Sequence, residues 1–176
     1  MDNQYPRYYP FSGCGPAPSA RNLVLNYGEP IMAEYIPSRV DWVREQVELY
    51  ESSGGTQGTT IADGYPVIIV TNMGNKTGAI RKTPLIRVKD GDNYILVGSS
   101  GGQPKHPVWV YNLRANPNVD IRDKTVVQPM RVREVAEGPE RARLWEIAVK
   151  TFPRYAGYQE IAGRLIPLFL AEPRSA

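Results

Sequence analysis

Between residues 66 and 135 the chain sets short apolar or alternating runs one after another, and the turns between several of them are too short for any crossover. PVIIVTN (66–72) is a continuous apolar run, the pattern of a strand buried on both faces. PLIRVK (84–89) and NYILVG (93–98) flank Asp90-Gly91-Asp92, which favours a tight hairpin turn. NVDIR (118–122) alternates with period two, and Asp123-Lys124 can turn it into TVVQPMRVREV (125–135). Pro129 cannot donate to a ladder, so that strand is predicted at a sheet edge or bulged. A last strand is read at IPLFLAE (166–172). Parallel neighbours need a dozen or more connecting residues, so these hairpins predict antiparallel pairing. About six strands with helices set apart point to an α+β barrel rather than a doubly wound parallel sheet.

Helical spacing appears on both sides of the strands. SRVDWVREQVELYESSGG (38–55) reads as a helix with Ser38 as N-cap and an apolar stripe of Val40, Val43, Val47 and Tyr50. GTQGTTIADG (55–64) is a glycine-rich loop. A short helix is read in VWVYNLRA after Pro107. Gly138-Pro139-Glu140 opens another, with Leu144, Ile147, Ala148 and Thr151 inward, and Pro153 breaks it. RYAGYQEIAGRLI (154–166) supplies a second, with Tyr155, Tyr158, Ile161 and Ala162 along one side. Residues 1–37, with Tyr5, Tyr8, Tyr9, Tyr27 and Tyr35 among prolines, read as an extended arm, and 38–176 as a single domain.

Residue counts exclude several chemistries. Cys14 is the sole cysteine and His106 the sole histidine, so no disulfide framework and no cysteine- or histidine-rich metal cage can form within one chain. The first thirty residues show no basic stretch leading into an apolar run, which argues against a secretory signal, and no apolar run is long enough to span a membrane. A reducing, cytoplasmic setting is expected. Charge is uneven: residues 1–74 carry −4, residues 75–134 carry +6, and the remainder +1. A basic middle segment attracts anions, although a solvated strand face gives the same count.

Three stretches could carry chemistry. In GNKTGAIRKTPL (74–85) two glycines bracket a turn whose amides could form an anion nest, with Lys76 and Arg81 as clamps; an ordinary polar hairpin turn reads the same way. In SSGGQPKHPVWV (99–110), Ser99 and Ser100 end a strand, Gly101 and Gly102 permit close backbone approach, and a helix N-terminus follows. In FPRYAGYQ (152–159), Tyr155 and Tyr158 are either a packing stripe or a wall over a flat ring with a phenol able to give a proton.

Taken in order, GG (54–55), GNKTGAIRKTPL (74–85), SSGGQPKHPVWVYNLRANP (99–117), ERARLW (140–145), FPRYAGYQ (152–159) and IPLFLAEP (166–173) resemble the deazaflavin-dependent nitroreductase and quinone reductase family of actinobacteria. That family is a branch of the split β-barrel flavin-binding superfamily. The resemblance implies an α+β split β-barrel of mostly antiparallel strands with flanking helices. It also implies coenzyme F-420, a reduced 8-hydroxy-5-deazaflavin with a ribityl phosphate and an oligoglutamate tail. By motif position, Lys76 and Arg81 would hold phosphate and carboxylates. Thr83, Pro84 and Ile86 would line the ring. Ser99, Ser100, Gly101 and Gly102 would cradle the cofactor, with Trp109 and Asn112 supporting that corner. Ser99, Tyr155 and Tyr158 are the catalytic candidates, Ser99 holding the acceptor oxygen and Tyr155 giving the proton, with Tyr158 as wall or substitute. Ser100 stands where many members have lysine, Ile86 where some have tyrosine, and Phe152 replaces another tyrosine.

The expected reaction is hydride transfer to a small electrophilic acceptor: an enone, a quinone or a nitro compound. A flavin mononucleotide enzyme on the same barrel and a non-catalytic cofactor or lipid binder are the alternatives. No nucleic-acid recognition motif is present, so nucleic acid is not an expected partner. A monomer or homodimer is expected, and peripheral membrane contact is compatible with a lipid-borne quinone. The arm's tyrosines and Met32 are expected to roof the acceptor pocket.

Overall fold

The computed structural model describes residues 33–174. Helix α1 (Asp41–Ser52) leads into strands β1 (Val67–Met73), β2 (Ile80–Ile86), β3 (Lys89–Asp90) and β4 (Asn93–Val97). Helix α2 (Val108–Ala115) precedes the hairpin β5 (Asn118–Asp123) and β6 (Val126–Glu134). Helices α3 (Pro139–Thr151) and α4 (Arg154–Ile161) and strand β7 (Leu168–Pro173) complete the chain.

All pairings are antiparallel, and the sheet order is β2-β1-β5-β6-β7-β4-β3. The two edge strands, β2 and β3, are separated in sequence only by Arg87 and Val88, so the sheet must curl until its edges meet. Side chains confirm the curl. Asp123 at the end of β5 accepts from Tyr94 on β4 (2.8 Å) and from Arg87 Nε (2.6 Å), although β6 and β7 separate β5 from β4 within the sheet. The result is an α+β split β-barrel type. The expected strand 84–89 is thus a correction: its first half belongs to one edge and its second half to the other, with the chain turning the corner between them.

The period-two pattern sorts side chains into two cores. Ile68, Val70, Leu96, Val119, Ile121, Met130, Val132, Phe169 and Ala171 share one cluster with Trp109, Val110 and Leu113 of α2, which plugs the curled face. Val67, Ile69, Ile86, Ile95, Val97, Leu168 and Leu170 meet α1, α3 and α4 on the other. Strand β1, buried on both faces as read, contributes to each. Pro129 lies in an interior strand, not at an edge, because β6 pairs with both β5 and β7. Its carbonyl accepts from Arg174 just past the end of β7, so its missing N–H faces a side where the ladder has stopped.

The N-cap of helix α1 is Val40, two residues later than the expected Ser38. The Ser38 hydroxyl instead accepts the amide of Val40 (3.1 Å), the residue before the helix, and Val40 is exposed. Gln46 joins Val47 and Tyr50 on the buried face, and its side-chain amide donates to the carbonyls of Gly58 and Thr60, fixing the glycine-rich loop. That loop needs Gly55: its φ is +88° and a Cβ there would stand 1.9 Å from the Lys124 carbonyl oxygen of the β5–β6 turn. Ahead of α1, Ile80 donates to the Glu34 carbonyl (2.9 Å) and accepts from Ile36 (3.1 Å), so residues 34–36 lie along the outer edge of β2. Tyr5, Tyr8, Tyr9, Cys14, Tyr27 and Met32, and with them the expected roof over the pocket, lie outside the described residues.

Candidate functional site

Asn112, 3% exposed on α2, connects two of the three stretches singled out in the sequence. Its Oδ1 accepts the amide of Asn75 (3.1 Å) in the 74–79 turn, and its Nδ2 donates to Asn72 Oδ1 (2.9 Å) at the end of β1. Val110, two residues earlier, packs against Gly98, where β4 gives way to the serine-glycine bend. One helix therefore holds the turn and the bend on either side of itself.

The 74–79 turn spends more of its amides than its glycines suggest. Gly74 donates to Ala79 (2.8 Å), Gly78 to Gly74 (2.8 Å), Ala79 to the Thr77 hydroxyl (3.3 Å) and Asn75 to Asn112. The expected nest of bare amides is reduced to Lys76 and Thr77. Lys76 is exposed at the tip and has no carboxylate partner among the described residues. Arg81 reaches back to the Ile36 carbonyl (3.2 Å), so its fork is partly engaged by the segment before α1. Thr83, Pro84 and Ile86 cannot all line one ring through their side chains. Thr83 pairs with Val70 and faces the α2 side, whereas Pro84 and Ile86 pair with Ile69 and Val67 and face the other. Alternation of a strand enforces the split.

The bend is built for donors. Ser99 is right-handed (φ −71°, ψ −39°), and Ser100, Gly101 and Gly102 follow with φ of +50°, +63° and +79°. A right-handed residue followed by left-handed ones turns successive amides toward one concavity. Gly102 donates to the Ser99 carbonyl (3.0 Å) and Gln103 to Ser100 (3.2 Å), while no backbone carbonyl among the described residues takes the amides of Ser100 and Gly101. Ser99 is 9% exposed and Gly101 lies open. A Cβ on Gly102 would come within 2.6 Å of Ile161 and 3.2 Å of the Tyr158 Cα, so the bend is pressed directly against α4. The third stretch thereby joins the second.

On α4 the two candidate tyrosines differ in burial. Tyr155 is 4% exposed, its ring 4.9 Å from Phe152 and 6.3 Å from Trp145, and burial pushes its phenol well above the usual range. It is a core wall, poorly placed to reach a reacting molecule. Tyr158 is partly exposed, 6.4 Å from Tyr155 by ring centroids, and flanks the bend. Trp109 packs in the barrel core against Phe169 (5.9 Å), which leaves it a support and not a contact. Burial, with Arg164 and Arg114 nearby, holds His106 below the usual imidazole range and therefore neutral at pH 7.

Sequence reasoning missed Arg164. Its guanidinium donates to the carbonyls of Gly98, Ser99 and Lys105 (each 3.2 Å) and Gln103 (3.1 Å). No local motif announces a side chain that binds only main-chain oxygens some sixty residues away. It also missed Asn72, fully buried with its Nδ2 unpartnered beside Asn112.

A long acidic cofactor fits these residues. The free amides of Ser100 and Gly101, the unpaired Lys76 and Arg164, which has no carboxylate partner among the described residues, supply donors and positive charge, and Gly101, open where a Cβ would stand, leaves no side chain in the way. Comparisons with known proteins agree. The family model described as F420H(2)-dependent quinone reductase matches residues 42–173. An F420H(2)-dependent quinone reductase of Mycobacterium tuberculosis (strain H37Rv) is 35% identical over 141 residues, covering 77% of this chain and 92% of that protein. A solved F420-H2 dependent reductase is 44% identical, with a TM-score of 0.57 over 61% of this chain and 94% of its own. A structure described as a domain-swapped dimer is 44% identical, with a TM-score of 0.60 over 77% of this chain and 100% of its own.

Proposed function

Because the chain belongs to the F420H(2)-dependent quinone reductase family, we propose that it binds reduced coenzyme F-420 between the 74–79 turn and the Ser99–Gly102 bend and reduces a small electron-poor acceptor, a quinone before an enone or a nitro compound. The observation that carries this reading is the bend itself: free amides beside a partly buried guanidinium, pressed against an aromatic helix. The reduced deazaflavin, when bound, supplies the hydride.

The chain's own residues supply the rest. Lys76 attracts phosphate and carboxylates as an exposed point charge, and the amides of Ser100 and Gly101 donate to an anionic oxygen in a fixed direction. Ser99 offers its hydroxyl to the acceptor oxygen, where negative charge grows as hydride arrives. Tyr158 is the proton donor in this reading. Its phenol hydroxyl can give a proton to that oxygen. Tyr155, Phe152 and Trp145 hold Tyr158 from behind as a packed wall. No helix among the described residues is long and apolar enough to cross a membrane, so a lipid-borne quinone would be met at the surface.

Titration with reduced coenzyme F-420, followed by a panel of quinones, enones and nitro compounds read at the cofactor's absorbance, tests the proposal. Wild type should oxidise the cofactor only when an acceptor is present. Tyr158→Phe should lose at least about tenfold in turnover, in line with general acid catalysis, and Tyr155→Phe much less. A purified protein that carries yellow flavin and ignores the deazaflavin would overturn it.

A further inference from the structure

Residues 98–105 form a loop whose carbonyl oxygens converge on one side chain. Arg164 takes those of Gly98, Ser99, Gln103 and Lys105 at 3.1–3.2 Å. In the Ser99–Ser100 peptide the carbonyl drawn to Arg164 leaves the Ser100 N–H on the opposite side, and in the next peptide the Ser100 carbonyl is taken by the Gln103 amide (3.2 Å); the amides of Ser100 and Gly101 are thus turned away from these bonds and free of backbone partners among the described residues. No carboxylate there pairs with Arg164, and its Nη1 is buried without a partner. Its charge is balanced by carbonyl dipoles alone, so a positive field stands beneath the bend.

The arginine is itself held. Gln159 of α4 donates from Nε2 to the Arg164 carbonyl (2.7 Å) and accepts the Ile166 amide on Oε1 (3.0 Å). One side-chain amide thus clamps the main chain on both sides of Leu165. The path runs from α4 through Gln159 to Arg164 and then to the bend, while Gly102 touches Ile161 and Tyr158 on the same helix.

We propose that Arg164 is a positioning residue for cofactor recognition: by gathering the carbonyls of the 98–105 loop it sets the amides of Ser100 and Gly101 as a donor pair for the phosphate or a tail carboxylate. This rests on the cofactor reading given above. A lysine reproduces only part of this set, because Arg164 uses two nitrogens, Nε toward Gln103 and Nη2 toward Gly98, Ser99 and Lys105, where an ammonium offers one.

The test compares wild type, Arg164→Met and Arg164→Lys, with Arg143→Ala as control, since Arg143 sits in an exposed ion pair with Asp90 on another face. Amide hydrogen exchange is measured first, without ligand. Exchange across 98–105 should quicken by about tenfold or more in Arg164→Met while the strands keep their protection. Binding is then measured for reduced coenzyme F-420 and for the deazaflavin riboside that lacks phosphate and tail. Arg164→Met should weaken the full cofactor by about tenfold, the worth of one charge-assisted hydrogen bond, and leave the riboside within about twofold. Arg164→Lys should fall between, and Arg143→Ala should match wild type. Equal losses for both ligands would mean a merely structural role, and unchanged exchange or unchanged cofactor affinity would also overturn the proposal. If Arg164→Met does not fold, Arg164→Lys and Gln159→Leu carry the same comparison. A wild type that binds neither ligand would refute the cofactor reading instead, and the exchange arm would still decide whether Arg164 sets the bend.

Discussion

Tyr50 shows how much one buried side chain can organise. It is fully buried on α1, donates to the Val67 carbonyl at the start of β1 (3.1 Å) and accepts the amide of Lys124 in the β5–β6 turn (2.7 Å). Lys124 needs that partner because its φ is +55°, a left-handed setting unusual for a residue with a Cβ. Tyr50→Phe keeps the ring and removes both bonds, so it should destabilise the chain by about 1–3 kcal/mol, read as a lower urea midpoint with an unchanged slope. Asp120 on β5 makes an opposite case. Burial pushes its carboxyl above the usual range, with Arg174 and Lys82 pulling the other way to a smaller extent. A folded pKa above the unfolded one means that the native state holds the proton more tightly. Stability should therefore fall as pH rises from the unfolded value through the folded one. Asp120→Asn should be more stable than wild type at pH 7, and the difference should shrink as both are acidified. Equal melting temperatures across that range would contradict this.

At the scale of elements, the decisive contact is that between the Ser99–Gly102 bend and α4. Gly102 combines a φ of +79° with a neighbour that a Cβ would overlap, so two penalties apply to any substitution. Gly102→Ala should cost roughly 1–3 kcal/mol from overpacking alone and should displace Tyr158 from the bend, lowering turnover. Adding Ile161→Ala should recover part of the lost stability, because Ile161 supplies the clash, but not the part due to φ. If the double variant recovers nothing, the packing of bend on helix is not as described. The glycines and serines of this corner were legible in the sequence as a place of close approach. What they approach was not, since Ile161 and Gly102 belong to different helical and loop segments with no shared periodicity.

At the scale of the whole molecule, closure of the sheet governs stability and association. Curling joins β2 to β3 at one corner, and among the described residues the outer edge of β2 is covered by residues 34–36 through two backbone bonds to Ile80. An uncovered strand edge is a template for pairing with another chain. Ile36→Pro removes the donor to the Ile80 carbonyl, and the expected outcome is a concentration-dependent increase in self-association by light scattering, with about 1 kcal/mol lost from the monomer. A variant that stays as monodisperse as wild type would show that this edge is protected in some other way.

The residue pattern by itself marked β1, β4, β5, β6 and β7, the antiparallel pairing and the two-faced burial of β1, because apolar runs, period-two alternation and tight turns are local properties of the chain. It also marked the bend and α4, which meet, and the 74–79 turn, which Asn112 of α2 holds. Only the tertiary structure decided that Thr83 and Pro84 face opposite sides, that Tyr155 is a wall while Tyr158 keeps access, and that the strand read at 84–89 turns a barrel corner. It alone revealed Arg164, whose partners are backbone oxygens. Every residue carries such an oxygen, so the sequence holds no mark of which ones a curled sheet will bring within reach of one guanidinium.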